Sequence, residues 1–302
     1  MKKFLNIFIF FCLPVFVIGF SLEVLLRHIP NGYQVKSDYL ITHQESIKTL
    51  LVGSSHILYG INPVFLSKEA LNYGNVSQTI DIDYGIIHQN LNNLEALETV
   101  VLRLSYTTLF EQLKHGNESW RLKDYTLYTT VDLDSKLKYN FEILSVKLKY
   151  NLERIYNYYI LKENFELVNK TGWGRSKVYD STANIDEVGI LIAKKHTITN
   201  DELYVENLKI LESIIEECKE KGVKVILVTM PAYTSYVQHL DQDQLEKTIS
   251  AGLFMQNNFT NCSYFNFLED KRFGTQDFLD ADHLNEYGAE KFSKVIDSIL
   301  SQ

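Results

Sequence analysis

Residues 50–56 read Leu50-Leu51-Val52-Gly53-Ser54-Ser55-His56, an apolar run that leads directly into a turn of small residues. A buried strand that ends in this way is typical of a site at the carboxyl edge of a parallel sheet. Gly53 permits a tight turn, and a helix that follows would direct its free N–H groups towards an anion. A serine in such a turn is well placed as a nucleophile, but it is more often a helix N-cap. This stretch alone therefore favours the cap.

A second motif lies near the other end of the chain, where residues 280–283 read Asp280-Ala281-Asp282-His283. Asp280 and His283 are three residues apart, so on a tight turn the carboxylate can hold the imidazole Nδ1–H while Nε2 faces outwards. That is the arrangement of base and orienting group that a nucleophilic serine needs. The alternative is an Asp-rich loop that caps the last helix, with an exposed histidine. The two motifs together favour the catalytic interpretation.

The two motifs resemble those of the SGNH (GDSL-type) hydrolases, especially the membrane-anchored branch that handles acyl groups on cell-surface polysaccharides. Gly53-Ser54-Ser55 matches the Gly-Asp-Ser block of that family, with Ser54 in place of the aspartate, and residues 280–283 match its Asp-x-x-His block. The resemblance runs from about residue 48 to the end, with a poorly matching middle. It implies that Ser55 is the nucleophile, His283 the base and Asp280 the orienting carboxylate. Ser54 is the alternative nucleophile.

Two further blocks of the family are only partly present. Residues 72–79 read Asn72-Tyr73-Gly74-Asn75-Val76-Ser77-Gln78-Thr79, and Ser77 stands where the family has an oxyanion glycine. Thr107 occupies the place of the family's oxyanion asparagine. The resemblance therefore implies an oxyanion hole from the backbone N–H groups of Ser55 and Ser77. Three alternatives stay open for the missing asparagine: Thr107 or another group donates in its place, the activity is weak, or this branch is built differently. Losing one such donor costs on the order of 100- to 1000-fold in rate.

Three aromatic residues are expected to contact the substrate: Tyr106, Trp173 and Tyr233. Tyr106 and Tyr233 follow predicted strands, and Trp173 lies in a loop that also carries a cation. Such a loop could offer a platform to a sugar, or its ring could pack inwards, and aromatic residues serve both roles. His56 is expected to be structural or a substrate contact, because neighbouring residues on a turn usually point apart. For the same reason Asp282 is expected to point away from His283.

The fold class predicted from the pattern of the chain is α/β, with a doubly wound, flavodoxin-like, mostly parallel sheet of about five strands. Apolar runs predict strands at 49–53, 70–74, 98–104, 223–230 and 264–267. Helical periodicity predicts helices at about 80–94, 205–221 and 286–300. All candidate site loops then follow the carboxyl ends of strands, where such folds bind ligands. Residues 109–200 are predicted to form a helical insertion.

The amino-terminal segment predicts a membrane anchor. Residues 4–26 are almost entirely apolar, which is long enough to span a bilayer, and Lys2 and Lys3 precede them. An uncleaved single-pass anchor is favoured over a cleaved signal peptide, with the rest of the chain on the extracytoplasmic side of the cell membrane. The predicted domains are an anchor at 1–28, a connector at 29–47 and an SGNH hydrolase-like domain at 48–302.

Composition excludes several function classes. The chain has 302 residues and a net charge of −8, so no basic surface argues for a nucleic-acid partner. Three scattered cysteines make no disulfide framework and no metal motif, so no metal and no cofactor are expected.

The function predicted from these features is a serine-dependent acyl-ester hydrolase or O-acyl(acetyl)transferase that acts on extracytoplasmic polysaccharide or another acylated glycan. A transferase would take its acyl group from a membrane-bound donor partner. Two other classes stay open: a weak or inactive SGNH-fold protein that binds or helps assemble surface polysaccharide, and a tethered structural protein without a site.

Overall fold

The computed structural model describes residues 1–133, 136–163, 165, 168–175 and 184–301, without the side chains of residues 2, 5 and 7. The chain forms two compact units. The first comprises Met1–Gln34 and Trp120–Leu167, and the second comprises Val35–Ser119 and Val168–Gln302. The domain bounds expected from the sequence remain predictions.

The second unit is built on a five-stranded parallel sheet, which confirms the predicted α/β fold class. The strands are β1 (Thr49–Val52), β2 (Ala70–Asn72), β3 (Thr99–Arg103), β4 (Lys224–Thr229) and β5 (Cys262–Asn266). Their spatial order is β2-β1-β3-β4-β5, the order of flavodoxin-like sheets. The chain direction around the sheet reverses between β1 and β3, so the crevice for a ligand is expected between the ends of these two strands.

The central strands are apolar on both faces because helices cover both sides of the sheet. Every residue of β1 and β3 is buried, and only Lys224 is exposed in β4. Parallel pairing brings Leu51 beside Val101, and Val101 beside Ile226. Strands that are buried on both faces have continuous apolar sequences, which is why they could be predicted.

The helices follow the strands in the expected alternation. In chain order they are α1 (Lys2–Arg27), α2 (Gly32–Thr42), α3 (Ser55–Gly60), α4 (Ile80–Asn90), α5 (Leu122–Tyr128), α6 (Glu142–Ser145), α7 (Leu148–Ile155), α8 (Ile185–His196), α9 (Tyr204–Glu220), α10 (Thr234–Val237), α11 (Gln242–Asn258) and α12 (Glu286–Leu300). A π-helical turn, Tyr156–Ile160, continues α7. The predicted helices at 80–94, 205–221 and 286–300 are present, whereas α11 was not predicted. The segment expected to be a connector contains α2.

The first unit contains α1 together with α5, α6 and α7. Within α1, residues Phe8–Arg27 are long and apolar enough to cross a membrane. Glu23 is nevertheless buried on this helix: its carboxylate accepts hydrogen bonds from Arg27 and from the backbone N–H groups of Glu142 and Ile143. The one acidic residue of the apolar segment is therefore satisfied within its own unit.

Gly53 lets the chain leave β1 where no other residue fits. Its φ is +139°, a region that L side chains rarely adopt. A Cβ atom here would lie 2.7 Å from Arg103 Cβ and 2.9 Å from Ile57 Cγ1. The turn therefore passes directly against the end of β3, and this close approach brings the start of α3 to the crevice.

We expect Gly53→Ala to destabilise the protein by at least about 1–3 kcal/mol, through backbone strain and through the contact with Arg103. Gly222→Ala is the matched control, since Gly222 also has a positive φ (+72°) but open space around it. The thermal unfolding midpoints of both variants, followed by near-ultraviolet circular dichroism, measure the difference. An equal loss in the two variants would show that the contact with Arg103 has no effect.

Candidate active site

Ser54 and Ser55 differ in their suitability for the two roles considered from the sequence, helix N-cap and nucleophile. Ser54 is the N-cap of α3, and its Oγ accepts a hydrogen bond from the backbone N–H of His56 at 3.4 Å. Ser55 is the first residue of α3, so its hydroxyl is not needed for capping and is half-buried in the crevice. The cap interpretation holds for Ser54 and leaves Ser55 available for chemistry.

The loop between the short 3₁₀ helix Thr275–Asp277 and α12 is stabilised by hydrogen bonds between its own polar groups. Asn285 caps α12 through Oδ1, which accepts from the N–H groups of Tyr287 and Gly288, and its Nδ2 donates to the carbonyl of Phe278. The N–H of Leu279 donates to the carbonyl of His283 at 2.8 Å. This closed turn presents Asp280 and His283 on one side of the loop.

The structure brings Ser55, His283 and Asp280 together. Ser55 Oγ lies 2.7 Å from His283 Nε2, although the two residues are 228 positions apart. On the other side of the ring, His283 Nδ1 lies 2.9 Å and 3.1 Å from the two carboxylate oxygens of Asp280. Asp280 also accepts from the backbone N–H of His283 at 2.9 Å, so the same carboxylate fixes both the backbone and the ring. This is the geometry expected from the sequence; the catalytic roles remain predictions.

The expectation for Asp282 was wrong. Its side chain does not point away but is buried beneath the imidazoles, with Oδ1 3.1 Å from His283 Nδ1 and Oδ2 3.3 Å from His56 Nε2. The closed turn folds back under the ring, so adjacent residues face the same interior. His56 likewise lies against His283, with ring centroids 4.7 Å apart and an 18° angle between the planes. Each imidazole therefore contacts the same carboxylate.

His56 is held as a neutral imidazole with its proton on Nε2. Its Nδ1 lies 3.0 Å from Ser54 Oγ and 3.3 Å from a guanidinium nitrogen of Arg103, both of which donate. Nδ1 must then be the acceptor, and Nε2–H faces Asp282. Burial lowers the pKa of His56 to about 4, and the neighbouring His283 and Arg103 cations lower it further against the opposing effect of Asp282.

His283, in contrast to His56, favours its protonated, positively charged form. Burial by itself would lower its pKa, but Asp282 and Asp280 outweigh burial and raise the pKa to about 10. Two stacked imidazoles cannot both carry a charge at this distance without strong repulsion, so the proton resides on His283. The pKa of Asp282 is held well below its usual value: burial opposes ionisation, and His283 and His56 overcome it. The site is thus an ion pair beside a neutral histidine.

A third histidine borders the same carboxylate. His196 Nδ1 lies 3.7 Å from Asp282 Oδ2 and 3.1 Å from the hydroxyl of Tyr236, and burial lowers the pKa of this histidine. Within the part of the chain that the structure describes, His56, Asp282 and His283 could offer ligand atoms that all lie within 4.8 Å of one another. This set suits a zinc ion by ligand type, but ligation through His283 Nδ1 would displace the proton that faces Asp280.

The expected oxyanion residues Ser77 and Thr107 differ in backbone conformation and in hydrogen-bond partners. Ser77 has a φ of +58°, the left-handed conformation that explains a family glycine at this position, and its hydroxyl donates to Glu118. Asn75 N donates to the carbonyl of Gly53 at 3.1 Å, which places this loop beside the nucleophile turn. Thr107 is buried and its hydroxyl is hydrogen-bonded to Glu111. The expectation that Thr107 supplies a third oxyanion donor is therefore not supported, because its donor is already used.

A buried lysine supports the Gly74–Ser77 loop. Lys36 is fully buried, and its ammonium group donates to the carbonyl of Gly74 and, at 3.0 Å, to Asn75 Oδ1. Burial holds the pKa of Lys36 well below its usual value. This contact could not be predicted, because Lys36 is one of several polar residues in the expected connector.

The three expected substrate contacts have different surroundings. Tyr106 lies in the core, only 3% exposed, and its hydroxyl accepts from Asp241 N and contacts Thr197, so its surroundings do not favour the expected substrate contact, which stays a prediction. Trp173 is half-buried, and its indole N–H donates to the carbonyl of Tyr59 at 2.8 Å. Tyr233 is also half-buried, and its backbone N–H donates to the carbonyl of Ala281 in the histidine loop. Tyr233 is thus next to the site, while the substrate roles of Trp173 and Tyr233 stay predictions.

Sequence reasoning missed the group behind the catalytic histidine: His56, Arg103, His196 and Asp282. Two signals were available. Arg103 is the one charged residue in the apolar run 99–104, and buried arginines need partners. His56 and Asp282 each adjoin a predicted catalytic residue. His196 gave no signal, because only the fold brings α8 to the crevice.

Comparison with known proteins gives structural likeness at low identity. No family model matches the chain, and no curated protein matches it. A solved structure described as a platelet activating factor from Streptococcus pneumonia is 12% identical with a TM-score of 0.42, and covers 96% of this chain and 99% of its own. An acylhydrolase structure from Bacteroides fragilis is 13% identical, with a TM-score of 0.41 and coverages of 87% and 94%.

A GDSL-like lipase structure from Bacteroides thetaiotaomicron is 11% identical, with a TM-score of 0.42 and coverages of 88% and 98%.

We expect Asp282→Asn to move the pH dependence of esterase activity to lower pH. His283 must be neutral to act as a base, so kcat/KM should rise as the pH increases through its pKa of about 10. Removing the Asp282 charge lowers that pKa by on the order of 1–3 units. The measurement is the pH profile of p-nitrophenyl acetate hydrolysis, with Ser55→Ala as the blank for spontaneous hydrolysis. An unchanged profile would mean that Asp282 does not set the protonation of His283.

We expect activity to be unaffected by chelation with EDTA, because the triad needs no metal ion. His56→Ala removes one of the three ligand atoms and serves as the comparison. Loss of wild-type activity on chelation, restored by zinc, would instead assign His56, Asp282 and His283 to a metal centre.

Proposed function

We propose that this protein is a serine-dependent acyl-ester hydrolase of the SGNH type, with Ser55, His283 and Asp280 as its triad. The observation that carries the proposal is the 2.7 Å contact between Ser55 Oγ and His283 Nε2, with Asp280 on the opposite nitrogen. A serine at a helix start, a base within hydrogen-bond reach and a third group that orients the base are the elements of nucleophilic acyl transfer.

In the first half-reaction neutral His283 takes the proton of Ser55, and Ser55 Oγ attacks the ester carbonyl carbon. The tetrahedral intermediate collapses when the bond to the leaving alkoxide breaks, and His283 returns the proton to that oxygen. This leaves an acyl group on Ser55. Water or an acceptor hydroxyl then gives its proton to His283 and attacks the acyl carbonyl carbon. The bond between that carbon and Ser55 Oγ breaks, His283 returns the proton to Ser55 Oγ, and the acid or the new ester is released.

Asp280 keeps the imidazole turned so that Nε2 faces Ser55, and Asp280 and Asp282 together stabilise the imidazolium that forms in each step. The negative charge on the carbonyl oxygen would be met by the backbone N–H groups of Ser55 and Ser77. The Thr107 hydroxyl is bonded to Glu111, so the oxyanion hole has one donor fewer than the family pattern. This predicts a slower enzyme than one with the full set of donors.

The finer proposal is that the substrate is an acylated extracytoplasmic glycan. The apolar helix α1, preceded by Lys2 and Lys3, supports a single-pass anchor with the catalytic unit outside the cell membrane. Half-buried Tyr233, beside the histidine loop, and Trp173 could contact a sugar ring. A sugar hydroxyl in place of water as acceptor would make the protein an O-acyltransferase, which would need a membrane-bound acyl donor.

A second candidate is a protein that binds surface polysaccharide with little or no turnover. The hydrogen bond that occupies Thr107 favours it, since it removes the side-chain oxyanion donor. Covalent labelling separates the two candidates, because a binding protein does not need an activated serine.

We expect a fluorophosphonate probe to label the wild-type protein at pH 9–10 and to fail on Ser55→Ala and His283→Ala. Ester turnover should fall by about 10⁴-fold or more in both variants, because the members of such a unit act together. Ser54→Ala is the matched control, since it removes the neighbouring hydroxyl and costs only about 1 kcal/mol as a lost cap.

Asp280→Asn should retain more activity than His283→Ala, because Asp282 still faces Nδ1. Labelling of Ser55→Ala at the wild-type rate, or transfer of the labelling defect to Ser54→Ala, would refute Ser55 as the nucleophile.

A further inference from the structure

The first unit carries a band of exposed apolar side chains along residues 136–163, all of which the structure describes. Leu137 is 76% exposed and Ile160 is 64% exposed, values unusual for aliphatic residues on a water-facing surface. The other exposed aliphatic side chains in this band are Leu144, Leu148, Leu152 and Leu161. We refer to residues 136–163 as the juxtamembrane segment. This apolar surface is expected to be covered by a lipid or protein partner.

The juxtamembrane segment is fastened to the carboxyl-terminal end of α1. The two carboxylate oxygens of Glu23 accept from the backbone N–H groups of Glu142 and Ile143 at 3.0 Å and 2.9 Å. The hydroxyl of Tyr159 donates to the carbonyl of Leu25 at 3.0 Å. The segment thus lies level with the last turn and a half of the helix.

The last turns of α1 are where the hydrocarbon region of a bilayer would end. Phe8–Arg27 comprises 20 residues, and a helix of this length covers about 30 Å, the thickness of the hydrocarbon region. With these residues in the bilayer, Glu23 and Arg27 lie at the boundary between hydrocarbon and headgroups. The segment bonded to Glu23 lies at the same boundary.

Helix α7 has the pattern of a helix that rests on an interface. Leu148, Leu152 and Tyr156 are four residues apart and exposed, so they form one stripe. On another face Asn151 is buried, and Arg154 forms an ion pair with Glu142 at 2.8 Å. An exposed leucine stripe opposite a buried asparagine, with the charged Lys149 and Glu153 exposed beside the stripe, is the pattern of a helix that lies between water and an apolar medium.

Charge favours the same occupant. The juxtamembrane segment has six basic and three acidic residues, a net charge of +3 in a chain whose total is −8. Basic residues beside an apolar stripe attract anionic lipid headgroups. The tyrosines of the segment, such as Tyr156 and Tyr159, are also the residue type that concentrates at membrane–water boundaries.

We propose that the juxtamembrane segment docks on the surface of the bilayer that α1 crosses, with the leucine stripe of α7 among the acyl chains and the basic side chains among anionic headgroups. The proposal rests on the membrane anchor proposed above. A lipid surface is a better occupant than a protein partner, because Phe16 and Phe20 are exposed on α1 and the juxtamembrane segment is hydrogen-bonded to the carboxyl-terminal end of the same helix. The first unit is then a membrane-bound platform rather than a free linker.

The test is the fluorescence of an environment-sensitive NBD probe on single cysteines of the full chain, reconstituted in nanodiscs of phosphatidylcholine and phosphatidylglycerol. Native Cys12 is exposed on α1, whereas Cys218 and Cys262 are buried, so Cys12→Ser gives a background that does not label. Leu148→Cys and Leu152→Cys probe the stripe. Glu153→Cys is the matched control, exposed on the same helix but off the stripe.

We expect brominated lipids to quench the probes at positions 148 and 152 several-fold more than the probe at 153, which aqueous iodide should quench instead. The probe on native Cys12 reports the anchor independently. Quenching at Cys12 with none at 148 and 152 would overturn the docking while the anchor stands. A blue-shifted but unquenched probe at 148 would assign the stripe to a protein contact and would also overturn it. No quenching at Cys12 would refute the anchor and the docking together, with near-ultraviolet circular dichroism as the check that each variant is folded.

Discussion

The buried carboxylate of Asp282 is the interaction on which the site depends. It is only 2% exposed, and it faces Nδ1 of His283 and Nε2 of His56 at 3.1 Å and 3.3 Å. A carboxylate in such a position is strongly destabilising unless a positive charge compensates it. The compensating proton resides on His283, because Arg103 and Ser54 occupy the other side of His56. The buried charge of Asp282 therefore favours the protonated form of His283, while burial keeps His56 neutral.

Two carboxylates beside His283 would have opposite effects on the proposed reaction. In the proposed reaction, Asp280 and Asp282 would stabilise the imidazolium that forms on His283 during acyl transfer. The same two carboxylates keep His283 protonated in the resting protein, which leaves little free base at neutral pH. A bound substrate that changes the local charge or excludes water would shift this balance.

Glu23 in the first unit is also a buried carboxylate that needs compensating partners. An acidic residue in an apolar helix is costly, and here its two oxygens accept from two backbone N–H groups and from Arg27. The first N–H groups of a short helix lack partners within that helix, so the carboxylate also satisfies the start of α6. In both units a buried carboxylate joins segments that are far apart in the sequence.

The sequence by itself determined the sheet and the approach of Ser55, His283 and Asp280. Continuous apolar runs such as Leu50–Val52 predicted the buried parallel strands, because strands covered on both faces have no polar side. The spacing of Asp280 and His283 predicted their pairing, because a three-residue turn is local geometry. Ser55 and His283 could be placed together because both follow strands at the same sheet edge. These features depend on periodicity, on short turns and on topology.

Only the tertiary structure decided the surroundings of the triad. Asp282 and His56 were expected to point away, and it is the closed turn of residues 278–284 and its packing on α3 that direct both inwards. Tyr106 was expected to contact the substrate, but it is buried, and its hydroxyl accepts from the backbone N–H of Asp241 at the start of α11. The hydroxyl of Thr107 is bonded to Glu111, four residues further along. Contacts between distant segments set which polar groups are already bonded and which histidine carries the charge, and no local pattern in the sequence encodes that.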